Sequence, residues 1–167
     1  MPALPHLPAL LISLLATCAA QAEVRLVPKI ASVPIAAATV DEAATQFDRL
    51  RASTFSTVEA RFEASYGLRF YPGWCQVQGA VVEATVTGAL PQWAGAAAAD
   101  AAARQRWDAL TADVRGRVAG MERDARTAAT EMDRLLEAMP AQRDCDAVKA
   151  EASRLIEAAK TRHLGGR

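Results

Sequence analysis

The stretch Met121-Glu122-Arg123-Asp124-Ala125 has the spacing of a metallopeptidase motif without its metal ligands. In H-E-x-x-H, two histidines four positions apart project from one face of a helix and grip zinc, and the glutamate activates the bound water. Here Met121 and Ala125 stand where the histidines would be, and Glu122 stands at the base position. Methionine is a poor ligand for zinc and alanine is none. Beyond residue 22 the chain holds a single histidine, His163, whereas catalytic zinc normally takes three protein ligands. These residues predict no catalytic site, no metal site and no cofactor. Zinc enters only under the alternative of an active enzyme with other ligands.

Other chemistry is as hard to assemble. No G-x-S-x-G surrounds any serine, and no glycine-rich loop could cradle a phosphate. Cys145 and His163 fall on one helix, eighteen positions and about 27 Å apart, so they cannot form a nucleophile–base pair. Carboxylate pairs such as Asp144/Asp146 and Glu122/Asp124 fit solvated helix surfaces. Glu122 has two readings, a solvated or ion-paired helix residue or a retained base. His163 also has two, a helix-end residue favoured by the dipole or a ligand.

The elements that must position these residues can be read from periodicity. The chain has 167 residues, enough for one domain with one modest core, and its nineteen basic side chains balance nineteen acidic ones. A formal net charge of zero gives no reason to invoke nucleic acid or an anionic membrane surface. The opening segment has no charged side chain before Glu23, an apolar run from Leu7 to Ala20, and the Ala20-Gln21-Ala22 cleavage pattern. We read residues 1–22 as a secretory signal peptide, with a buried N-terminal helix as the alternative. Leu15-Ala16-Thr17-Cys18 resembles a lipoprotein box, which gives lipid anchoring at Cys18 as a further alternative. Cleavage leaves Cys75 and Cys145, 70 positions apart. In an oxidising compartment they predict one disulfide, and two buried free thiols are the other possibility.

Residues 23–37 look extended, and Pro28 and Pro34 exclude a central strand there. A short amphipathic helix covers Asp41 to Arg51, with Thr39 as N-cap and Glu42 as its capping-box partner. Alternation from Thr57 to Ala64, a turn at Gly67, a strand at Leu68–Tyr71, the Pro72-Gly73 turn, and a strand from Cys75 past Gly79 that Gly88 and Pro91 close predict an antiparallel sheet of three or four strands. From Gly95 to Met139 an apolar stripe recurs at Trp107, Leu110, Val114, Val118, Met121, Ala125, Ala128, Met132, Leu135 and Met139. Gly116 and Gly120, one turn apart, suggest close approach of another backbone. Pro140 ends that helix, and a last one runs from about Asp144 to Arg162 until Gly165-Gly166. The predicted fold is α+β: a small antiparallel sheet packed against an antiparallel helical hairpin. Strands and the short helix fill 23–94, the hairpin fills 95–163, and 23–167 forms one domain.

Several features fall in a telling order. A leader precedes strands, Cys75 opens a strand ending in Leu90-Pro91-x-Trp93, Trp107 precedes the Met121–Ala125 segment, Cys145 opens the last helix, and the chain closes with Thr161-Arg162-His163-Leu164-Gly165-Gly166. This order resembles the bacterial family known as domain of unknown function 922, regarded as secreted zinc-dependent proteases, over roughly Val24 to Gly166. The resemblance implies a zinc peptidase whose long helix carries H-E-x-x-H and whose T-x-H-G tail supplies a third ligand. Matched residue by residue, Met121 and Ala125 replace the histidines, Glu122 keeps the base position, and Thr161-Arg162-His163 keeps the tail, with Leu164 inserted before Gly165.

Together these readings describe an exported, periplasmic or secreted, non-catalytic relative of zinc proteases that binds an envelope protein or peptide. It would have no nucleic-acid partner and no integral membrane segment after leader removal. The alternatives are an active metalloprotease with unusual ligands and a lipid-anchored structural protein of the envelope. Mass spectrometry of the cell-envelope fraction is expected to find Glu23 as the new N-terminus. Intact Met1, or a diacylglyceryl group on Cys18, would refute cleavage after Ala22.

Overall fold

Alternating apolar and polar side chains build a three-stranded sheet in the order β1–β3–β2, from β1 (Glu23–Ile35), β2 (Glu59–Tyr71) and β3 (Trp74–Trp93). The computed structural model describes residues 23–165, so residues 1–22, where the secretory leader and Cys18 were expected to matter, and the terminal Gly166 and Arg167 lie outside the described residues. Helix α1 (Val40–Thr54) follows β1, and α2 (Ala101–Glu137) and α3 (Cys145–Leu164) follow the sheet. The class is α+β, with the α2–α3 hairpin against one sheet face.

The sheet is mixed, which corrects the expectation of a purely antiparallel one. β2 runs antiparallel to β3, but β1 runs parallel to it, from Glu23 opposite Val81 to Ile35 opposite Trp93. Alternation of side chains reads the same in either direction. Direction is decided by the connection, and β1 reaches β3 only after a crossover through α1 and β2. Pro28 and Pro34 lie on this edge strand, as the missing amide hydrogens require.

Two expected breaks are also absent. β2 runs through Gly67 without turning. The irregularity is a bulge between the pairs Ser65↔Val81 and Gly67↔Gln78, where Gly79 and Ala80 of β3 oppose Tyr66. Gly79 has φ +59°, a conformation natural to glycine at such a bulge. The extra residue shifts the inward phase of β3: Cys75 and Val77 are buried before it, and Ala80, Val82, Ala84 and Val86 after it. Nor do Gly88 and Pro91 end β3. Past Thr87, where β2 drops away, the strand continues beside β1 alone to Trp93. The hairpin turn at Pro72-Gly73 is present, with Gly73 at φ +80°.

The 37-residue α2 serves two cores. Its C-terminal half shares one with the inner sheet face and α3: Ala125, Ala128, Ala129, Met132 and Leu136 with Val82, Ala84, Val86, Val148, Ala152 and Ala159. Its N-terminal half shares the other with α1, where Ile35, Phe47, Phe55, Trp93, Trp107 and Val114 are buried. The indole of Trp93 lies 6.1 Å from that of Trp107 and donates to the Ala37 carbonyl at 2.9 Å. The buried stripe drifts by one residue at two points, to Thr111 instead of Leu110 and to Leu136 instead of Leu135. Thr111 tolerates burial because its hydroxyl donates to the Trp107 carbonyl at 3.0 Å.

Helix ends follow the sequence where side chains cap them. Thr39 and Glu42 form the capping box at α1. Asp144 caps α3, and Gly165 follows its last turn. α2 starts at Ala101, later than expected, because residues Ala94–Ala97 form a short 3₁₀ turn and the Asp100 carboxylate accepts from the Ala103 amide at 2.7 Å. Gly116 has nothing within 4 Å of where a side chain would begin and Gly120 has only the Arg123 guanidinium, so no other backbone approaches them.

Cys75 and Cys145 form a disulfide with Cα atoms 5.3 Å apart. Beside it, Cys75 and Gln142 exchange backbone hydrogen bonds of 2.7 and 2.8 Å. The α2–α3 link is thereby joined to the start of β3. Replacing both cysteines with alanine is expected to lower stability by about 2–4 kcal/mol in urea unfolding of oxidised protein. Unchanged unfolding would show that the Gln142 bridge and core suffice.

Candidate functional site

Positions 121 and 125 share a helix face, as their spacing requires, but that face packs inward. Ala125 is 0 % exposed within the sheet–hairpin core, and half-buried Met121 packs against the same core. Ala125 has no donor atom, and the Met121 thioether is a poor ligand for zinc. Glu122, the next residue along α2, is half-buried.

His163 lies in the last turn of α3, where its charge when protonated would suit the helix dipole. Its side chain is engaged by Glu131 of α2: one carboxylate oxygen contacts His163 Nε2, and the other accepts from Arg162 Nη1. Glu131 is the residue that sequence reasoning missed. Its side chain is 15 % exposed, against 61 % for Arg162, so the carboxylate is the enclosed member of the trio. No local pattern announces it, because the pairing depends on how α2 and α3 align across their link.

Of the C-terminal tail, Leu164 faces the same depression as Met121. These two side chains and residues 56–61 line an open depression of about 490 Å³. Ser56 and Thr57 offer hydroxyls there, and Arg61 and Glu59 stand 3.9 Å apart. The arrangement can hold a short polar or apolar segment by contact. Among the described residues no three His, Cys, Asp or Glu side chains gather so as to hold a metal ion. The donors near residues 121, 125 and 163 therefore do not fit a catalytic zinc. Cys145 and His163 occupy opposite ends of α3.

Two positions beyond Glu131, Asp133 carries an electrostatic penalty. Its Oδ1 is buried without a hydrogen-bond partner among the described residues. Burial raises its carboxyl pKa above the ordinary value, and the Glu137 charge adds to the effect.

Residues 30–165 match the family model described as "Bacterial protein of unknown function (DUF922)". Comparisons with curated proteins and with solved structures gave no match.

Two measurements probe this region. Glu131→Ala is expected to cost about 1–2 kcal/mol and to raise amide hydrogen exchange in the last two turns of α3, since it removes a partly buried charged acceptor. Unchanged exchange there would mean that Glu131 does not fasten the tail. For Asp133, ionisation is harder in the folded chain than in the unfolded one. Stability is therefore fullest below the unfolded pKa and falls as pH rises through the folded one. Asp133→Asn is expected to exceed wild type in stability at neutral pH, with the gain vanishing in acid. A gain independent of pH would point away from ionisation.

Proposed function

The chain belongs to this bacterial family of unknown function, and we propose that it is an exported protein without peptidase activity that acts by binding. On this reading it is a pseudo-protease of the cell envelope whose partner is an envelope protein or peptide. The observation that carries the proposal is Ala125 at 0 % exposure. The residue at the second ligand position is a closed part of the core, so the helix face that would have held zinc is committed to packing. Met121 supports the same reading from the first ligand position, and the Glu131 contact occupies His163. Glu122 alone, with no metal to activate water, lacks the means to hydrolyse a peptide bond by the H-E-x-x-H route.

The depression between Met121, Leu164 and residues 56–61 is the binding surface this reading favours, because Met121, at the first matched ligand position, lines it. The Cys75–Cys145 disulfide is consistent with an oxidising, extracytoplasmic compartment. Among the described residues no helix is long and apolar enough to cross a membrane.

Calorimetric titration of the purified protein with zinc is expected to give no stoichiometric binding, and peptide substrates are expected to remain intact in the same preparation. Stoichiometric zinc together with chelator-sensitive cleavage would overturn the proposal in favour of an active metalloprotease. A photo-crosslinking residue at Thr57 is expected to capture an envelope polypeptide in cells. Crosslinks no different from those of a distant surface position would refute binding at the depression.

A further inference from the structure

The large hydrophobic side chains exposed among the described residues are Phe70, Tyr71 and Trp74, at 70, 41 and 46 %. They sit together at the end of the β2–β3 hairpin, with Phe70 opposite Cys75 and Tyr71 opposite Trp74. Opposed residues share a sheet face, so Phe70 lies on the side of the buried Cys75, while Tyr71 and Trp74 lie on the other. Single exposed apolar residues are ordinary, but three aromatics at one projecting point need a reason.

Cations accompany the rings. The Arg69 guanidinium lies 4.9 Å from the centre of the Tyr71 ring, and that of Arg143, on the α2–α3 link, lies 5.6 Å from Trp74. The nearby carboxylates are otherwise engaged: Asp144 caps α3, and Asp146 pairs with Lys149 at 2.9 Å. The hairpin end is also held firmly. Its turn is Pro72-Gly73, and the Cys75–Cys145 disulfide and the Gln142 bridge fix the strand just behind it.

We infer that this hairpin end is a docking tip for an anionic membrane surface. Tryptophan and tyrosine suit the zone between acyl chains and water, phenylalanine suits the layer beneath, and guanidinium groups at the level of the rings meet the phosphates of anionic lipids. Size separates this occupant from a protein partner. Fully buried aromatics cover about 150–250 Å² each, so the open portions here amount to roughly 300–400 Å². A stable protein interface needs about 800 Å² from each side. A small tip instead suits weak surface attachment, the kind that a second membrane signal reinforces. The zero net charge of the chain conceals this feature because the two cations are local. The inference rests on the hairpin end and is independent of the depression beside Met121.

Trp93 and Trp107 are buried, so a fluorescence change on adding vesicles reports chiefly on Trp74. The purified, disulfide-bonded protein is titrated with vesicles of phosphatidylcholine alone and of phosphatidylcholine with phosphatidylglycerol. A blue shift and co-sedimentation with the anionic vesicles are expected, both weakening as salt rises. Phe70→Ser with Trp74→Ser is expected to weaken co-sedimentation roughly tenfold or more. Arg69→Gln with Arg143→Gln is expected to remove the preference for anionic vesicles. Circular dichroism matching wild type confirms that each variant is folded, and Trp74→Phe should abolish the blue shift while keeping most of the binding. No vesicle binding, or equal binding by the serine variant, would overturn the inference. So would a polypeptide crosslinked through position 74 in cells if vesicles do not bind.

Discussion

The close burial of β3 under α2 is the constraint on which the other contacts depend. Alanines meet on both sides of this contact: Ala80 and Ala84 on the strand, Ala125, Ala128 and Ala129 on the helix, all at 2 % exposure or less. Small side chains let the helix lie low on the sheet, and the larger Val82, Val86, Met132 and Leu136 fill the rest of the same core. An imidazole at position 125 would need volume that this layer does not offer.

A single glycine keeps the layer continuous. Without the bulge at Gly79, the inward side of β3 could not hold Cys75 and Val77 as well as Ala80, Val82, Ala84 and Val86, since these fall in opposite phases of the alternation. The bulge thus allows one strand to present the disulfide at its start and a smooth apolar surface farther along. The same strand continues past β2 to place Trp93 against Trp107, linking the two cores served by α2.

Much of this was legible in the residues. Thr39 with Glu42, Asp144 with Gly165, and the stripe from Trp107 to Met139 encode their helices locally, through hydrogen bonds and periodicity spanning a few positions. The cysteine pair was legible because few thiols competed for it. The direction of β1 was not, because parallel and antiparallel edges share one pattern of alternation. Gly67 and Gly88 look like turn residues in the chain but lie within paired strands, where pairing across the sheet outweighs their local preference. Of the candidate site, the apolar fate of Met121 and Ala125 could be read from the stripe. The engagement of His163 by Glu131 could not, because it depends on the relative placement of two helices separated by a link.

The parallel pairing of β1 also governs when the protein can acquire its shape. Each β1–β3 pair joins residues 58 positions apart, and the strand that completes the sheet follows both α1 and β2 in the chain. During synthesis β1 has no sheet partner until β3 has emerged, while α1 can form at once from its own cap. The fold is therefore one of high contact order, slow to close because a long loop must be ordered before any β1 hydrogen bond is gained. A chain built this way closes its sheet late, and the Cys75–Cys145 link then makes the late-formed sheet hard to undo.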